Sequence, residues 1–326
     1  MKDVVLNELV KTYGKGSVLA VDKVSLEVEQ GELFGLIGPD GAGKTTIFRV
    51  LATLLLPDSG GALVTGLDAV KDYKTIRKHI GYMPGKFSLY QDLSVEENLN
   101  FFATVFNTSI TENYDLVKDI YVQLEPFKTR RAGKLSGGMK QKLALCCALI
   151  HRPKVLLLDE PTTGVDVVSR KEFWEMLKGL KQQGITILVS TPYMDEANLC
   201  ERIALIQNGR ILSIDTPENI TKQFPDKLFA VKADNMGRLQ QTLRNSLWIK
   251  SCHSFGDYHH ITFKNKSLIA ESEWQTGLQH SGMLGHIPQY PQIAALIQTL
   301  QESGFQDIEI KEISPDIEDC FINLMN

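Results

Sequence analysis

The sequence predicts an α/β chain: a mostly parallel sheet with helices on both faces, followed by a smaller α+β domain. LFGLIG (33–38), VLLLD (155–159) and ITILVS (185–190) are short and almost wholly apolar, and helical patterns separate them. Strands buried on both faces read this way, and their alternation with helices makes the sheet parallel. After about residue 222 the texture changes to short strands and helices of mixed polarity. One domain is therefore expected at 1–222 and an accessory α+β domain at 223–326, each of ordinary domain size.

The elements follow in order. Residues 1–30 alternate in VVLNELV and VLAVDKVSLEVEQGE, the pattern of half-buried strands. A glycine-rich turn follows LFGLIG, then a helix over TTIFRVLATLLL, stopped by Pro57–Asp58–Ser59–Gly60–Gly61. Ser94 with Glu97 three residues later forms a capping box and opens a mainly helical stretch to 125. MKQKLALCCALIH is a helix ended by Pro153. ILVSTPYMDEAN (187–198) reads as strand, turn and helix, with Pro192 in the first helical position, where its missing N–H is no loss. Beyond 222, QFPDKLFAVKADNMGRLQQTLRN gives linker, strand and helix, and HHITFKNK a strand. QIAALIQTLQESG is a glycine-capped helix, FQDIEIKEIS a strand and SPDIEDCFINLMN a closing helix.

Composition narrows the class. Of the 326 residues, 43% are hydrophobic and 23% charged, enough for a sizeable core and contrary to disorder. A net charge of −4 argues against a nucleic-acid partner. The one basic run, KTRRAGKLSGGMKQK (128–142), taken alone is a solvated helix end. Cysteines 146, 147, 200, 252 and 320 have no metal-type spacing and fit a core in a reducing compartment. MKDVVLNELV has no apolar signal core, and no stretch approaches the roughly 18 apolar residues that cross a bilayer. A membrane role would come through a partner. His253, His259 and His260 do not make a metal site, since the adjacent pair points to opposite faces of a strand.

Three motifs carry chemistry. GPDGAGKTT (38–46) matches G-x-x-x-x-G-K-[ST], with a strand before it and a helix after it. Gly38, Pro39, Asp40, Gly41, Ala42, Gly43, Lys44, Thr45 and Thr46 are the candidate nucleotide contacts. Gly41 and Gly43 turn backbone N–H groups inward around phosphates, Lys44 reaches the β- and γ-phosphates, and the Thr45 hydroxyl ligates Mg²⁺. In VLLLDEP (155–161), Asp159 ends a buried strand and can hold Mg²⁺ through water. Glu160 beside it can orient or deprotonate an attacking water, so Lys44 and Glu160 are the catalytic candidates. LSGGMKQ (135–141) opens a helix with Ser136, Gly137 and Gly138, a second anion-binding start. Within one monomer it would be redundant; it makes sense serving a nucleotide held by another subunit.

With these motifs in this order, residues 1–220 resemble the ATP-binding subunits of ABC transporters: Walker A at 38–46, signature at 135–139, Walker B at 155–160 and D-loop at Thr163–Asp166. The resemblance implies a P-loop NTPase of the ABC type, with an antiparallel β-subdomain and a helical subdomain. It implies ATP and Mg²⁺ as ligands, and Tyr13 as the aromatic residue stacked on adenine. It also implies a head-to-tail partner ATPase subunit, the same chain or a different one, and separate integral membrane permease subunits. The chain would then be cytoplasmic and peripheral on the inner face of the cell membrane. GPDGAGKTT, GYMPGKFSLYQDLSVEENL and STPYMDEA are similar, more narrowly, to bacterial multidrug-type ABC-2 exporter subunits, and SPDIEDCFINLMN to their C-terminal extension.

Two positions depart from the family pattern. Gly85 stands where a Q-loop glutamine follows Tyr-Met-Pro, and Pro192 where a switch histidine follows Ser-Thr. Neither side chain can hold a metal, a water or a phosphate, so this chain's own Walker site is expected to be slow. Gln91, six residues on, does not inherit the role. Tyr90 and Leu93 are the expected surface for a coupling helix from the membrane subunit, beside the alternative that they only pack a helix cap. Two other readings stand: an ATP-binding module whose own hydrolysis site is degenerate, and a non-transport ABC ATPase. The latter usually carries two cassettes or a long coiled-coil insertion.

Overall fold

The computed structural model describes residues 1–264 and 291–325. Residues 265 and 266 of the expected strand HHITFKNK lie outside them. The chain forms two compact units, Met1–Lys222 with Ile317–Asn326, and Gln223–Asp316.

The first unit opens with β1 (Lys2–Tyr13) and β2 (Val18–Glu29), paired antiparallel from Lys2↔Glu29 to Tyr13↔Val18. β3 (Leu33–Ile37) runs into the glycine turn and α1 (Lys44–Leu51). β4 (Ser59–Val64) and β5 (Leu67–Asp68) complete an antiparallel sheet of order β2-β1-β4-β5. Then come α2 (Tyr73–His79), β6 (Ile80–Met83), α3 (Val95–Val105), α4 (Tyr114–Tyr121) and α5 (Gly137–Leu149). β7 (Val155–Asp159), α6 (Val167–Gln182), β8 (Thr186–Thr191), β9 (Arg202–Gln207), β10 (Arg210–Asp215) and α7 (Pro217–Lys222) follow.

The second sheet has order β10-β9-β3-β8-β7-β6 and is parallel except for the β9–β10 pair. The three apolar strands of the sequence are neighbours, β3-β8-β7, and all their residues are buried. The alternating strands lend their apolar faces to the same core: Val4, Leu6, Val24 and Leu26 meet Phe34, Leu36, Leu157 and Leu188, with Ile47 and Phe48 of α1 among them. That packing fixes the carboxyl ends of β3, β7 and β8 side by side, the place where ligands bind in open α/β sheets.

Four local expectations change. α1 stops at Leu51 rather than running to 56, because Thr53 takes a left-handed backbone (φ 60°) and its hydroxyl and carbonyl accept from Arg77 at 2.8 Å each. The helical stretch 94–125 is broken. The capping box at Ser94 and Glu97 is formed, but Asn107 (φ 53°) ends α3, and Asn113 turns its amide to Thr108 Oγ1 and Ile150 O before α4 begins. Pro192 does not start a helix; a short 3-10 helix spans Met194–Leu199 with Tyr193 as its N-cap. The fourth change is in the closing helix, Ile317–Met325.

The second unit contains β11 (Leu228–Lys232), α8 (Met236–Asn245), β12 (Ile249–Phe255), β13 (Tyr258–Phe263), α9 (Pro291–Glu302) and β14 (Glu309–Ile313). Its sheet is antiparallel, in order β12-β13-β11-β14, and its described elements follow the split βαβ arrangement. Phe229, Val231, Leu239, Leu243, Ile261, Leu296 and Leu300 form a core of their own. The closing helix α10 (Ile317–Met325), expected with this domain, belongs to the first unit. Ile317, Cys320 and Phe321 are buried there, against α7 and the Met194–Leu199 turn. The Cys320 thiol lies 3.6 Å from the Ile220 carbonyl.

Candidate nucleotide and metal site

The loop 38–43 leaves β3 and folds over itself. The Gly38 amide donates to Thr191 O (3.2 Å) and the Ala42 amide to Pro39 O (3.2 Å). Gly43, at φ 105°, caps α1, and a Cβ there would sit 2.4 Å from Ala20 O, so only glycine fits. Lys44 is buried, and its ammonium donates to Gly38 O (2.7 Å) and Pro39 O (3.0 Å). It also pairs with Glu160 Oε1 at 3.1 Å. The lysine thus spans the mouth of its own loop, with its charge turned toward the end of β7.

Asp159 and Glu160 sit at that end. Asp159 is buried and accepts from Ser190 Oγ (2.7 Å) and Thr45 Oγ1 (3.2 Å). Residues 114 positions apart therefore form one oxygen pair. Cis oxygens around Mg²⁺ lie about 2.9 Å apart at its usual bond lengths, and hard oxygen donors suit that ion. Thr45 and Asp159 fit it. Glu160 is held in a left-handed backbone, φ 52°, costly for a residue with a side chain. Two bonds fix it there: its amide donates to Ser190 O (3.1 Å) and Ser190 Oγ (3.0 Å). Next to the pair, burial and then the Asp159 carboxylate push the Tyr82 phenol up to about 12, opposed by Arg49.

Tyr13 reaches the same loop; its hydroxyl is 3.3 Å from Thr46 Oγ1. Gly85 packs its backbone against the end of β7, where a Cβ would stand 3.1 Å from Asp159 O and 3.7 Å from the Glu160 Cβ. Gln91 is elsewhere: its carbonyl accepts from the Gly133 amide at 2.9 Å. Ser136 caps α5, its hydroxyl accepting from the Met139 amide at 3.3 Å. Ser136 and Gly137 are exposed, so this helix start is open to a ligand from outside the chain. The sequence did not single out Ser190, which binds both carboxyl-bearing residues. A polar side chain ending an apolar strand was the available signal.

Tyr90 is half exposed and packs edge-on against Phe101, while Asn98 bonds the Tyr90 backbone at both ends (3.1 and 3.0 Å). An apolar groove of about 410 Å³ lies beside that segment, lined by Tyr82, Met83, Phe87, Phe102, Phe106 and His151 among others. Neither Tyr90 nor Leu93 lines it. In the accessory unit both ring nitrogens of His259 are engaged, with Ser254 Oγ (3.1 Å) and Met236 O (2.8 Å). Among the described residues no group of three or more His, Cys, Asp or Glu could hold a metal, and no helix is long and apolar enough to cross a membrane.

Comparison with known proteins agrees with this geometry. The ABC transporter family pattern matches residues 21–163. The probable multidrug ABC transporter ATP-binding protein YbhF of Escherichia coli K12 is 37% identical over 326 residues, 99% of this chain. The alignment takes in 52% of YbhF, so the chain spans about half that relative's length. The doxorubicin resistance ATP-binding protein DrrA of Mycobacterium tuberculosis is 38% identical over 226 residues, covering 68% of each protein. Among solved structures, cbiO1 of Clostridium perfringens superposes with a TM-score of 0.61 at 26% identity, over 68% of this chain and 91% of that one. The ADP- and Pi-bound dimer of the cassette MJ0796 gives 0.59 at 26% identity, over 65% and 98%. Motif order, site geometry and similarity along 99% of this chain converge, and the chain belongs to the ATP-binding proteins of the ABC transporter family.

Proposed function

We propose that this chain binds Mg·ATP at 38–46 and hydrolyses it to drive a small-molecule exporter. The observation that carries the reading is the cluster at the ends of β3 and β7: Lys44 3.1 Å from Glu160, and Thr45 3.2 Å from Asp159. Lys44 and the loop amides bind the triphosphate, Thr45 and Asp159 hold Mg²⁺, and Tyr13 stacks on the base. Mg²⁺ supplies charge neutralisation at the phosphates. Glu160 orients the attacking water and accepts its proton. Ser136–Gly138 meets the nucleotide of a second ATPase subunit, head to tail. The multidrug, doxorubicin-resistance and Nod-factor export names of the relatives support an export role. The groove beside 87–89 supports docking of a segment from integral membrane subunits, which sets the chain on the inner face of the cell membrane.

Gly85 and Pro192 favour a refinement. Losing one group at a developing charge costs about 10²–10³ in rate, and two losses of a unit need not multiply. This chain's Walker side is then the slow one, and the fast site pairs its signature with a different subunit's Walker residues. Steady-state ATPase assays on the assembled transporter test this. Ser136→Arg is expected to abolish most turnover, and Glu160→Gln to cost far less than the matching change in the partner ATPase. Full-rate hydrolysis by this chain alone would sink the asymmetric reading.

A further inference from the structure

Glu196, in the 3-10 helix after Pro192, is buried: its side chain is 2% exposed, and among the described residues no group hydrogen-bonds either carboxylate oxygen. Arg170 of α6 faces it, Nε 3.7 Å from Oε1, and that Nε likewise has no hydrogen-bond partner among the described residues. The Arg170 guanidinium carbon also lies 4.1 Å from the centroid of the Tyr193 ring. One arginine therefore holds two residues of the segment that follows the switch position. A buried carboxylate without a counter-charge is strongly disfavoured, so Glu196 depends on Arg170. Yet 3.7 Å is about 0.8 Å beyond a charge-assisted hydrogen bond. The pair is held by charge and by stacking, and a shift of under about 1 Å closes it.

Arg170 belongs to the first turn of α6. Its amide donates to Asp166 O (2.9 Å), and the Asp166 carboxylate caps the turn at the Ser169 amide (3.0 Å). The same turn packs its Ser169 side chain directly against Gly138 at the start of α5. A Cβ on Gly138 would lie 2.7 Å from Ser169 Oγ, and one on Gly137 3.6 Å from Gly164 O. The first turn of α6 is thus wedged between the Ser136–Gly138 helix start and the segment after Pro192. Small movements of packed elements with two alternative contacts are how sites couple.

We propose that Arg170 and Glu196 are positioning residues that lock the Tyr193–Glu196 segment to the first turn of α6, so that filling this chain's own nucleotide site is felt at Ser136–Gly138. The inference rests on the nucleotide-binding reading above.

Amide hydrogen exchange on the full chain, with and without Mg·ATP, tests it, at dilutions where light scattering gives a monomer. In the wild type, segments 38–46, 191–199 and 136–140 are expected to gain protection together. Glu196→Gln is nearly isosteric, and with Arg170→Gln it is expected to keep nucleotide affinity within twofold and protection at 38–46. Both should lose more than half of the gain at 136–140. Arg170→Lys, which keeps the charge facing Glu196, should retain more of it than Arg170→Gln. Should Arg170→Gln fail to fold, Glu196→Gln and Arg170→Lys decide. A pair with only a structural role would lower the melting temperature and leave the ATP-dependent gain at 136–140 intact in every variant, which overturns the proposal. So does a wild type that gains protection at 38–46 but none at 136–140. No gain at 38–46 refutes the nucleotide-site reading itself, and this inference with it.

Discussion

Lys44 Nζ lies 3.1 Å from Glu160 Oε1, while the same ammonium donates to the carbonyls of Gly38 and Pro39. A lysine so placed carries its charge to the end of β7 through its own loop, and a triphosphate competes with Glu160 for it. Lys44→Ala is expected to weaken Mg·ATP binding at least tenfold, about 1.4 kcal/mol. Glu160→Gln should leave affinity equal or higher, since the neutral amide competes less. Titration of each variant with a fluorescent ATP analogue checks both, and equal affinity in wild type and Lys44→Ala would refute the assignment.

Restoring the two missing side chains should speed this chain's own site. Pro192→His is the simpler change. At Gly85 a Cβ meets Asp159 O at 3.1 Å, so a glutamine fits only if the loop gives by a few tenths of an ångström. Pro192→His is expected to raise the single-turnover hydrolysis rate by roughly tenfold, a fraction of what one such group contributes elsewhere, and Gly85→Gln by less. Single-turnover hydrolysis with chain in excess measures it; no change in either variant would mean the site works without them.

Cutting the chain after Lys222 should leave the nucleotide site in place but expose what α10 covers. Ile317, Cys320 and Phe321 are all nearly inaccessible. At about 1.5–3 kcal/mol for each large apolar side chain, the loss is roughly 4 kcal/mol. Residues 1–222 are expected to fold and bind ATP with a lowered denaturation midpoint. Joining 317–326 back through a flexible linker should recover most of the loss. Denaturant melts of the two chains decide it.

Burial, countered by the Ile80 carbonyl 2.9 Å from its ring, holds His151 below its ordinary pKa of 6.5 while it stacks on Phe106 at 3.7 Å. The unfolded chain then takes up the proton first as pH falls. The stabilisation is complete above 6.5 and is lost as pH drops from there through the lower folded value. Melting temperatures between about pH 7.5 and 5 should fall more steeply for the wild type than for His151→Phe. Parallel curves would show that His151 titrates alike in both states.

Much of this was legible in the sequence because it is local. The apolar runs 33–38, 155–159 and 185–190, bounded by turn residues, read as buried strands, and GPDGAGKTT announces a phosphate loop by its spacing alone, although Ala20 O also holds Gly43 to glycine. Sequence order alone also named Lys44, Thr45, Asp159 and Glu160. Tertiary packing decided what lies at a distance. It brought Thr45 to Asp159 and set Ser190 under both acidic residues. It placed Arg170 against Glu196 and Tyr193, and returned the last helix to the first unit. Periodicity records which face of an element is apolar, but not which of several apolar faces covers it. The partner of a buried charge likewise follows from sheet order, which places β8 between β3 and β7, and no local pattern encodes that order.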